Sequence, residues 1–506
     1  MLLPATISAW TFTKSPQEAV MYRSSFALVL SMAALAAILL PSSLNAEINF
    51  ERTYGGTNDD DGWSAQQTAE GGYVVAGNTS SYGAGNSDIY LIKTDAAGDM
   101  LWTRTFGGPA FDYCRSVQQT ADGGYILAGY TSSFGAGFSD IYLVKTDSSG
   151  ETLWTRTYGG AEDDYGYAVR QTAEGGFIVT GETHSFGSGG NVYLVRTNAN
   201  GNALWTRTYG GESGEFGCSV QPTTDSGFII VGSTSSFGAG GSDVYLVKTD
   251  ANGDTLWSRT FGGTNDDYGG SVQQTIDGGY AIAGYTWSFG AGDGDVYLIK
   301  TDVTGDTMWT RTFGGAGYDG ANSVQQTTDG GYAIAGHTTS FGAGGYDVYL
   351  LKTDERGDTQ WTKTYGGSDN EVGYSIQPTA DGGYVIAGGT HSFGSGGCDV
   401  YLIKTDSLGN VAVAEPKASP TRAPALSLTC EPNPCRGATT ISLKPQASSS
   451  KRPTLRIYDA QGRLVLFQTV RASSFIFHPS SLPSGAYFVR VDAGNEHATA
   501  RVVLQR

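Results

Sequence analysis

Ser116-Val117-Gln118-Gln119-Thr120, Ala121-Asp122-Gly123-Gly124 and Tyr125-Ile126-Leu127-Ala128-Gly129-Tyr130-Thr131 form two apolar runs joined by a tight Gly-rich turn. A loop rich in Ser, Phe and Gly follows. Then come Asp140-Ile141-Tyr142-Leu143-Val144-Lys145-Thr146-Asp147, a Ser148-Ser149-Gly150 turn, and Leu153-Trp154-Thr155-Arg156-Thr157-Tyr158. β-branched and aromatic residues dominate these four runs. Asp-Gly and Asp-x-x-Gly turns, whose positive-φ positions suit hairpins, divide them. Tight hairpins require antiparallel neighbours, so the unit reads as a four-stranded meander, which argues against a parallel β-helix. No helical period interrupts it.

The unit recurs along most of the chain. The mark Trp-[Thr/Ser]-[Arg/Lys]-Thr-[Phe/Tyr]-Gly-Gly begins at Trp102, Trp154, Trp205, Trp257, Trp309 and Trp361, in steps of 51 or 52 residues, with a Trp-less copy from Phe50. Periods of this size signal propellers or arrays. The first three strand types occur seven times. The seventh unit ends after Asp399–Asp406 and Gly409 without a Trp-bearing strand, while an orphan strand of that fourth type, Ile48–Tyr54, opens the domain. Placing Ile48–Tyr54 on the outside of the last blade uses all 28 strands and leaves no terminal edge unpaired. The expected fold is therefore all-β, a seven-bladed β-propeller of four-stranded blades closed by the N-terminal strand and followed by a small β-sandwich.

Composition sets the limits. The chain has 506 residues with 74 Gly, 15 Pro, 49 acidic and 31 basic side chains, and 39% apolar residues. Collagen, a polytopic membrane protein and a wholly disordered chain are excluded. Residues 47–411 carry a net charge of −26 and residues 412–506 a net of +7. An acidic body is unsuited to neutralising phosphates, so nucleic acid is not an expected partner. The change of sign coincides with Glu415-Pro416-Lys417-Ala418-Ser419-Pro420 and Pro424, a linker composition. Phe26 to Leu40 is an apolar run of 15 residues preceded by Arg23 and followed by small residues. It reads as a secretory signal peptide, too short to span a bilayer, cleaved between Ala46 and Glu47. Residues 1–20 do not share that logic, and Met21 reads as the better initiator. The expected parts are thus 1–46 signal, 47–411 propeller, 412–426 linker and 427–506 C-terminal domain, with no transmembrane segment in a mature, monomeric chain.

Five Cys are too few for a disulfide-built scaffold. Only Cys430 and Cys435 invite a short-loop disulfide, and their spacing is no zinc motif.

Several families resemble parts of the chain. The bacterial β-propeller repeat family is met in Asp267, Asp277-Gly278-Gly279-Tyr280, Gly284-Tyr285-Thr286 and Asp295-Val296-Tyr297-Leu298-Ile299-Lys300-Thr301-Asp302. That likeness implies the fold and a secreted or surface setting, and says little about a ligand. The Asp250 to Trp257 turn is similar to the tryptophan-docking motif of pyrroloquinoline-quinone dehydrogenases and to the Asp-box of sialidases, both structural turns. Its Trp is expected between blades. A sialidase would also need a convergent Arg cluster, and the arginines here read as belonging to the fourth strands at the periphery. The tail resembles the type A C-terminal sorting domain of type IX secretion cargo. The match rests on Asn433-Pro434 with Gly437, Ile457 to Val465, Leu482-Pro483-Ser484-Gly485-Ala486-Tyr487-Phe488, and Arg501-Val502-Val503-Leu504. It implies the type IX machinery as partner, and release or surface attachment in a bacterium of the Bacteroidota or their relatives.

Two columns carry the candidate chemistry. Four residues after the second Gly of each mark stands an acid: Asp60, Asp112, Asp164, Glu215, Asp267, Asp319 and Glu371. These are expected to accept hydrogen bonds from loop amides, with calcium binding the sharper alternative and no other cofactor implied. In Ala-Gly-x-Thr-x-Ser-Phe the two variable positions hold Tyr130, Glu182, His184, Tyr285, Trp287, His337 and His391 among their occupants. Variation on a fixed frame is how a propeller face acquires a ligand, and these side chains suit a glycan or a surface protein. No blade singles out a nucleophile with an orienting base, so a non-catalytic binding or adhesion module is expected. The rivals are a polysaccharide hydrolase or lyase, which needs a second acid facing Glu182, and a purely structural surface protein.

Overall fold

The computed structural model describes residues 49–411 and, in the tail, 426–436, 438–445, 454–460, 463–469, 474–478, 482–493 and 496–505. The signal peptide, its cleavage site at Ala46 and Glu47, the start at Met21 and linker residues 412–425 lie outside them. The chain divides into two compact units, the second beginning at Glu415. No helix among the described residues is long and apolar enough to cross a membrane.

Seven four-stranded sheets form the first unit. Blade 1 is built from Asp60–Gln67, Tyr73–Thr79, Asp88–Thr94 and Met100–Phe106, in that order from the inside outwards. Blades 2 to 6 repeat this pattern. Blade 7 takes its first three strands from Glu371–Pro378, Tyr384–Thr390 and Asp399–Thr405, and its outer strand is Phe50–Tyr54. Phe50 lies opposite Lys404 and Tyr54 opposite Val400, the places that Trp102 and Phe106 take against Lys93 and Ile89 in blade 1. The ring is sealed by hydrogen bonds between blades 7 and 1. Asp60 N–H donates to the Cys398 carbonyl at 2.7 Å, Ala65 N–H to Ser375 Oγ at 3.0 Å, and Ala380 N–H to Gln67 Oε1 at 2.8 Å.

The two middle strands of a blade, such as Tyr73–Thr79 and Asp88–Thr94, are buried along their whole length. Both faces are covered by neighbouring blades, which explains runs of Val, Ile and Leu in place of strict alternation. At one junction Ile229, Val231, Val244 and Leu246 of blade 4 pack on Val272, Tyr280 and Ile282 of blade 5. Burial of each such side chain contributes roughly 1.5–3 kcal/mol. The Trp of each mark completes the junction. Trp205 lies 6.0 Å from Phe228 of the next blade, and its ring fills the space a side chain at Gly253 (φ +79°) would need, 2.8 Å away. Only Gly tolerates that approach and that backbone angle. Phe50 plays the part of Trp at the seal, 5.7 Å from Tyr73 and against Gly98.

One face of the ring is uniform. A buried cation at the end of each third strand reaches the acidic turn between the first two strands, as in Lys145–Asp122, Lys248–Asp225 and Lys352–Asp329, each 2.9 Å. The ammonium also donates to the next carbonyl, from Lys145 Nζ to Thr146 O at 2.8 Å. A buried Lys is tolerated because every proton finds such an acceptor.

The tail holds a three-stranded sheet (Leu426–Glu431, Thr439–Pro445, Ser474–Phe477) and a four-stranded one (Leu464–Thr469, Thr454–Asp459, Gly485–Ala493, Glu496–Leu504). Cys430, Ile441 and Phe477 from the first meet Leu455, Ile457, Val489 and Val502 from the second in a common core. The Asn433 side chain brackets the last strand, donating to Arg501 O at 2.6 Å and accepting from Val503 N–H at 2.8 Å. The disulfide invited by the spacing of Cys430 and Cys435 is not formed, and both thiols are free in this core.

Candidate binding site at the channel mouth

The acid column serves the blades. Gly56 N–H and the Ser81 hydroxyl each donate to Asp60 Oδ2 at 2.7 Å, which ties the incoming connection to the loop after the second strand. Asp164 and Asp267 repeat the arrangement, and in Glu215 and Glu371 the second oxygen takes Thr234 and Thr390 hydroxyls at 2.8 Å. All seven acids, Asp112 and Asp319 included, are buried, one in each blade. No group of three or more His, Cys, Asp or Glu among the described residues is placed to hold a metal ion.

The variable loop column separates into clusters. In blades 5 and 6 Tyr285, Trp287 and His337 come together through two residues the column did not include, Tyr318 and Tyr346. Trp287 stacks on Tyr318 with centroids 5.5 Å apart and planes 18° from parallel, and Tyr285 meets Trp287 edge-on at 5.2 Å. His337 lies 5.2 Å from both Tyr318 and Tyr346. Burial lowers the His337 pKa to about 4, so the imidazole is neutral at physiological pH. Trp287 keeps 40% of its surface exposed, which leaves this ledge open to solvent. Tyr130 belongs to a second cluster in blades 2 and 3, 5.0 Å from Tyr113 and 4.9 Å from Tyr165. Between the clusters, Glu182 Oε1 pairs with His184 Nε2 at 2.9 Å, and the Tyr167 hydroxyl donates to Oε2 at 3.4 Å. Burial raises the Glu182 pKa, against the pull of His184. His391 stands apart over the Asn370 carbonyl, 3.2 Å from Nδ1.

A third column, absent from the sequence reading, lines the channel itself. Every inner strand slips register once, between the third and fifth residues, as between Gly62 and Ser64. The residue passed over has no partner across the ladder and projects from a β-bulge into the channel. Around the ring these residues are Trp63, Arg115, Tyr167, Cys218, Gly270, Asn322 and Tyr374, and all seven line one cavity of about 560 Å³ together with Glu182, Phe216 and Tyr285. Trp63 stacks on Tyr374 at 3.8 Å, and the Arg115 guanidinium lies 3.5 Å from the Trp63 ring centroid. Gly270 adds no side chain to the wall that Tyr285 also lines. Glu182 is the one carboxylate on the cavity wall among the described residues, and no second acid faces it there. The signal that could have found this column is its variation three residues after each acid.

The arginines divide accordingly. Those of the outer strands lie over their own Trp or Phe at 5.3–5.6 Å, as expected. Arg115 and Arg170, on inner strands, and the buried Arg196, on the third strand of blade 3, do not fit the peripheral expectation. Arg170 occupies the place of Gln118, whose Oε1 accepts from Gln171 N–H at 2.7 Å. An Arg offers no such acceptor, and the facing Pro222 has no N–H to donate.

Residues 432–505 match the secretion system C-terminal sorting domain. A segment of 174 residues is 29% identical to the regulatory protein FlaEY of Caulobacter vibrioides, covering 29% of this chain and 18% of that protein. Among solved structures, PorZ, a surface component of the type IX secretion system of Porphyromonas gingivalis, is 13% identical with a TM-score of 0.41, over 90% of this chain and 60% of that one. The extracellular domain of a hybrid two-component system from B. thetaiotaomicron is 12% identical with a TM-score of 0.39, over 90% of this chain and 59% of that one. The chain thus spans less than two thirds of each of these proteins. With the repeated blades and the matched tail in hand, the chain is a secreted or outer-surface β-propeller protein that carries a type IX secretion sorting domain at its C-terminus.

Proposed function

We propose that the propeller is a glycan-binding module whose site is the channel mouth and the aromatic ledge beside it. The observation that carries this reading is the ledge of Tyr285, Trp287, Tyr318, His337 and Tyr346. It is a connected set of rings, partly exposed, on a frame that otherwise repeats from blade to blade. A sugar ring presents an apolar C–H face and a rim of hydroxyls. Rings held by one another present the exposed Trp287 face at little entropic cost, and Tyr hydroxyls and a neutral imidazole supply polar contacts beside it. The cavity is within the size range of small-ligand sites.

The test is a glycan and polysaccharide array probed with the exported protein, with and without chelator. Binding that falls at least tenfold in Trp287→Ala and Tyr318→Ala, with the melting temperature held within a few degrees, is expected. Silence across the array, with capture of a surface protein that Trp287→Ala abolishes, would move the site to a protein ligand.

A further inference from the structure

We infer that the channel selects a glycan bearing carboxylate groups, and that Arg115 is the residue that reads them. The inference rests on the glycan reading above and adds the class of sugar.

Fifteen of the propeller's 17 basic side chains have places fixed by the repeat or on turns, and the two others, Arg115 and Arg170, are the cations of the inner strands. Arg170 is committed, donating to Val169 O at 2.8 Å and to Ser116 Oγ at 3.4 Å. Arg115 is not. Its guanidinium carbon lies 3.5 Å from the Trp63 ring centroid, and among the described residues it makes no hydrogen bond or ion pair. Its Nε, like Trp63 Nε1, is buried without a partner. A half-buried cation with unmet donors costs free energy in the empty protein, and it has been placed where the side chain could have been anything.

What would satisfy it is a planar anion approaching the guanidinium edge in the channel. A carboxylate fits that edge with two parallel N–H···O bonds, and the Trp63 face holds the fork in orientation. The neighbouring carboxylate Asp61, which the Cys398 thiol engages at 3.1 Å, acts on Arg115 only through space, and Glu182 is held by His184 and Tyr167, so neither forms an ion pair with the guanidinium. The acids of the column are held by hydrogen bonds inside their blades, and none of them is paired with Arg115. A chain of uronate units can lay one ring on the exposed Trp287 face and direct a carboxylate past Tyr285 into the cavity that Arg115 lines.

The test titrates the exported protein with uronate oligosaccharides, namely galacturonate, glucuronate, mannuronate and guluronate oligomers, each beside its carboxyl-reduced neutral counterpart. A sulfated dextran serves as the non-planar anion. At least one uronate oligomer is expected to bind about tenfold to a hundredfold more tightly than its neutral form. Arg115→Met, which keeps the stem over Trp63, is expected to remove that preference, and Arg115→Lys to restore only part of it. Arg115→Met should melt no lower than the wild type, because it removes an unpaired charge. Equal binding of the acidic and neutral forms, unchanged in Arg115→Met, would overturn the inference while leaving the glycan reading standing. Binding of sulfated dextran in place of every uronate would overturn the carboxylate assignment. Failure of every oligosaccharide in wild type, with the fold intact, would remove both.

Discussion

The two faces of the ring are built from the same strands and follow opposite rules. On one face a buried cation meets an acid turn, as in Lys145–Asp122, Lys248–Asp225, Lys300–Asp277 and Lys352–Asp329. On the other, and down the channel, positions equivalent by symmetry hold Trp63, Arg115, Tyr167, Cys218, Gly270, Asn322 and Tyr374. Packing between blades allows one answer, so the sequence repeats there. Contacts along the channel wall differ from blade to blade, as in Trp63 on Tyr374 and Asn322 Nδ2 donating to Gly373 O, so its residues are not tied to the repeat. Stability and recognition are therefore separable in this molecule, and each can be perturbed alone.

The largest effect should come from opening the ring. Removing residues 49–54 takes away Phe50 and Tyr54, both part of the core between blades 7 and 1, and exposes Asp399–Thr405 as a free edge. The shortened protein is expected to lose its cooperative thermal transition and to elute as aggregates in size-exclusion chromatography. A monomer with an unchanged transition would show that the seal is dispensable and that the blades are held by their neighbours alone.

That experiment also measures what could be read from the residues. The blade count and the seal were legible because packing forces Trp, Gly-Gly and Asp-Gly-Gly to recur, and because counting strands left one spare at each end. The acid column was legible as hydrogen-bond acceptors for the same reason. The channel column was not, because a bulged residue has no ladder partner and its seven occupants share no chemistry, so a period-two reading passes over it. Tyr318 and Tyr346 escaped for a related cause. They stand in connections whose residues differ from blade to blade, and only the ring geometry brings them to Trp287 and His337. Tyr130 looked equivalent to Tyr285 in the alignment of units, yet the ring places them three blades apart.

A paired substitution sharpens the contrast. Trp205→Ala removes a ring packed against the core between blades 3 and 4 and is expected to cost about 3 kcal/mol in urea unfolding. Trp63→Ala removes a ring that faces the channel and is expected to cost under about 1 kcal/mol, while weakening ligand binding at least tenfold. If Trp63→Ala destabilised as much as Trp205→Ala, the channel wall would be part of the structural frame and the separation of roles would fail.

Acid unfolding probes both faces in one titration. On the variable face, burial lowers the His337 pKa from 6.5 to about 4. On the uniform face, Asp225 is lowered from 3.8 to about 2, because bonds from the Thr223 hydroxyl, the Lys248 ammonium and the Gly227 amide outweigh its burial. Both shifts are downward, so between the two values the unfolded chain binds more protons than the folded one, and stability falls as pH falls. For His337 the loss runs from about pH 6.5 to pH 4 and amounts to about 3 kcal/mol. For Asp225 it runs from about pH 4 to pH 2 and is smaller, since its side chain is 56% exposed and solvent screens the pair. Urea midpoints measured from pH 8 to pH 2 in wild type, His337→Gln and Lys248→Met separate the two. His337→Gln should flatten the upper window alone, and Lys248→Met should reduce the loss below pH 4 alone. A variant that altered both windows would mean that the two faces are coupled through the blade and that repetition on one constrains variation on the other.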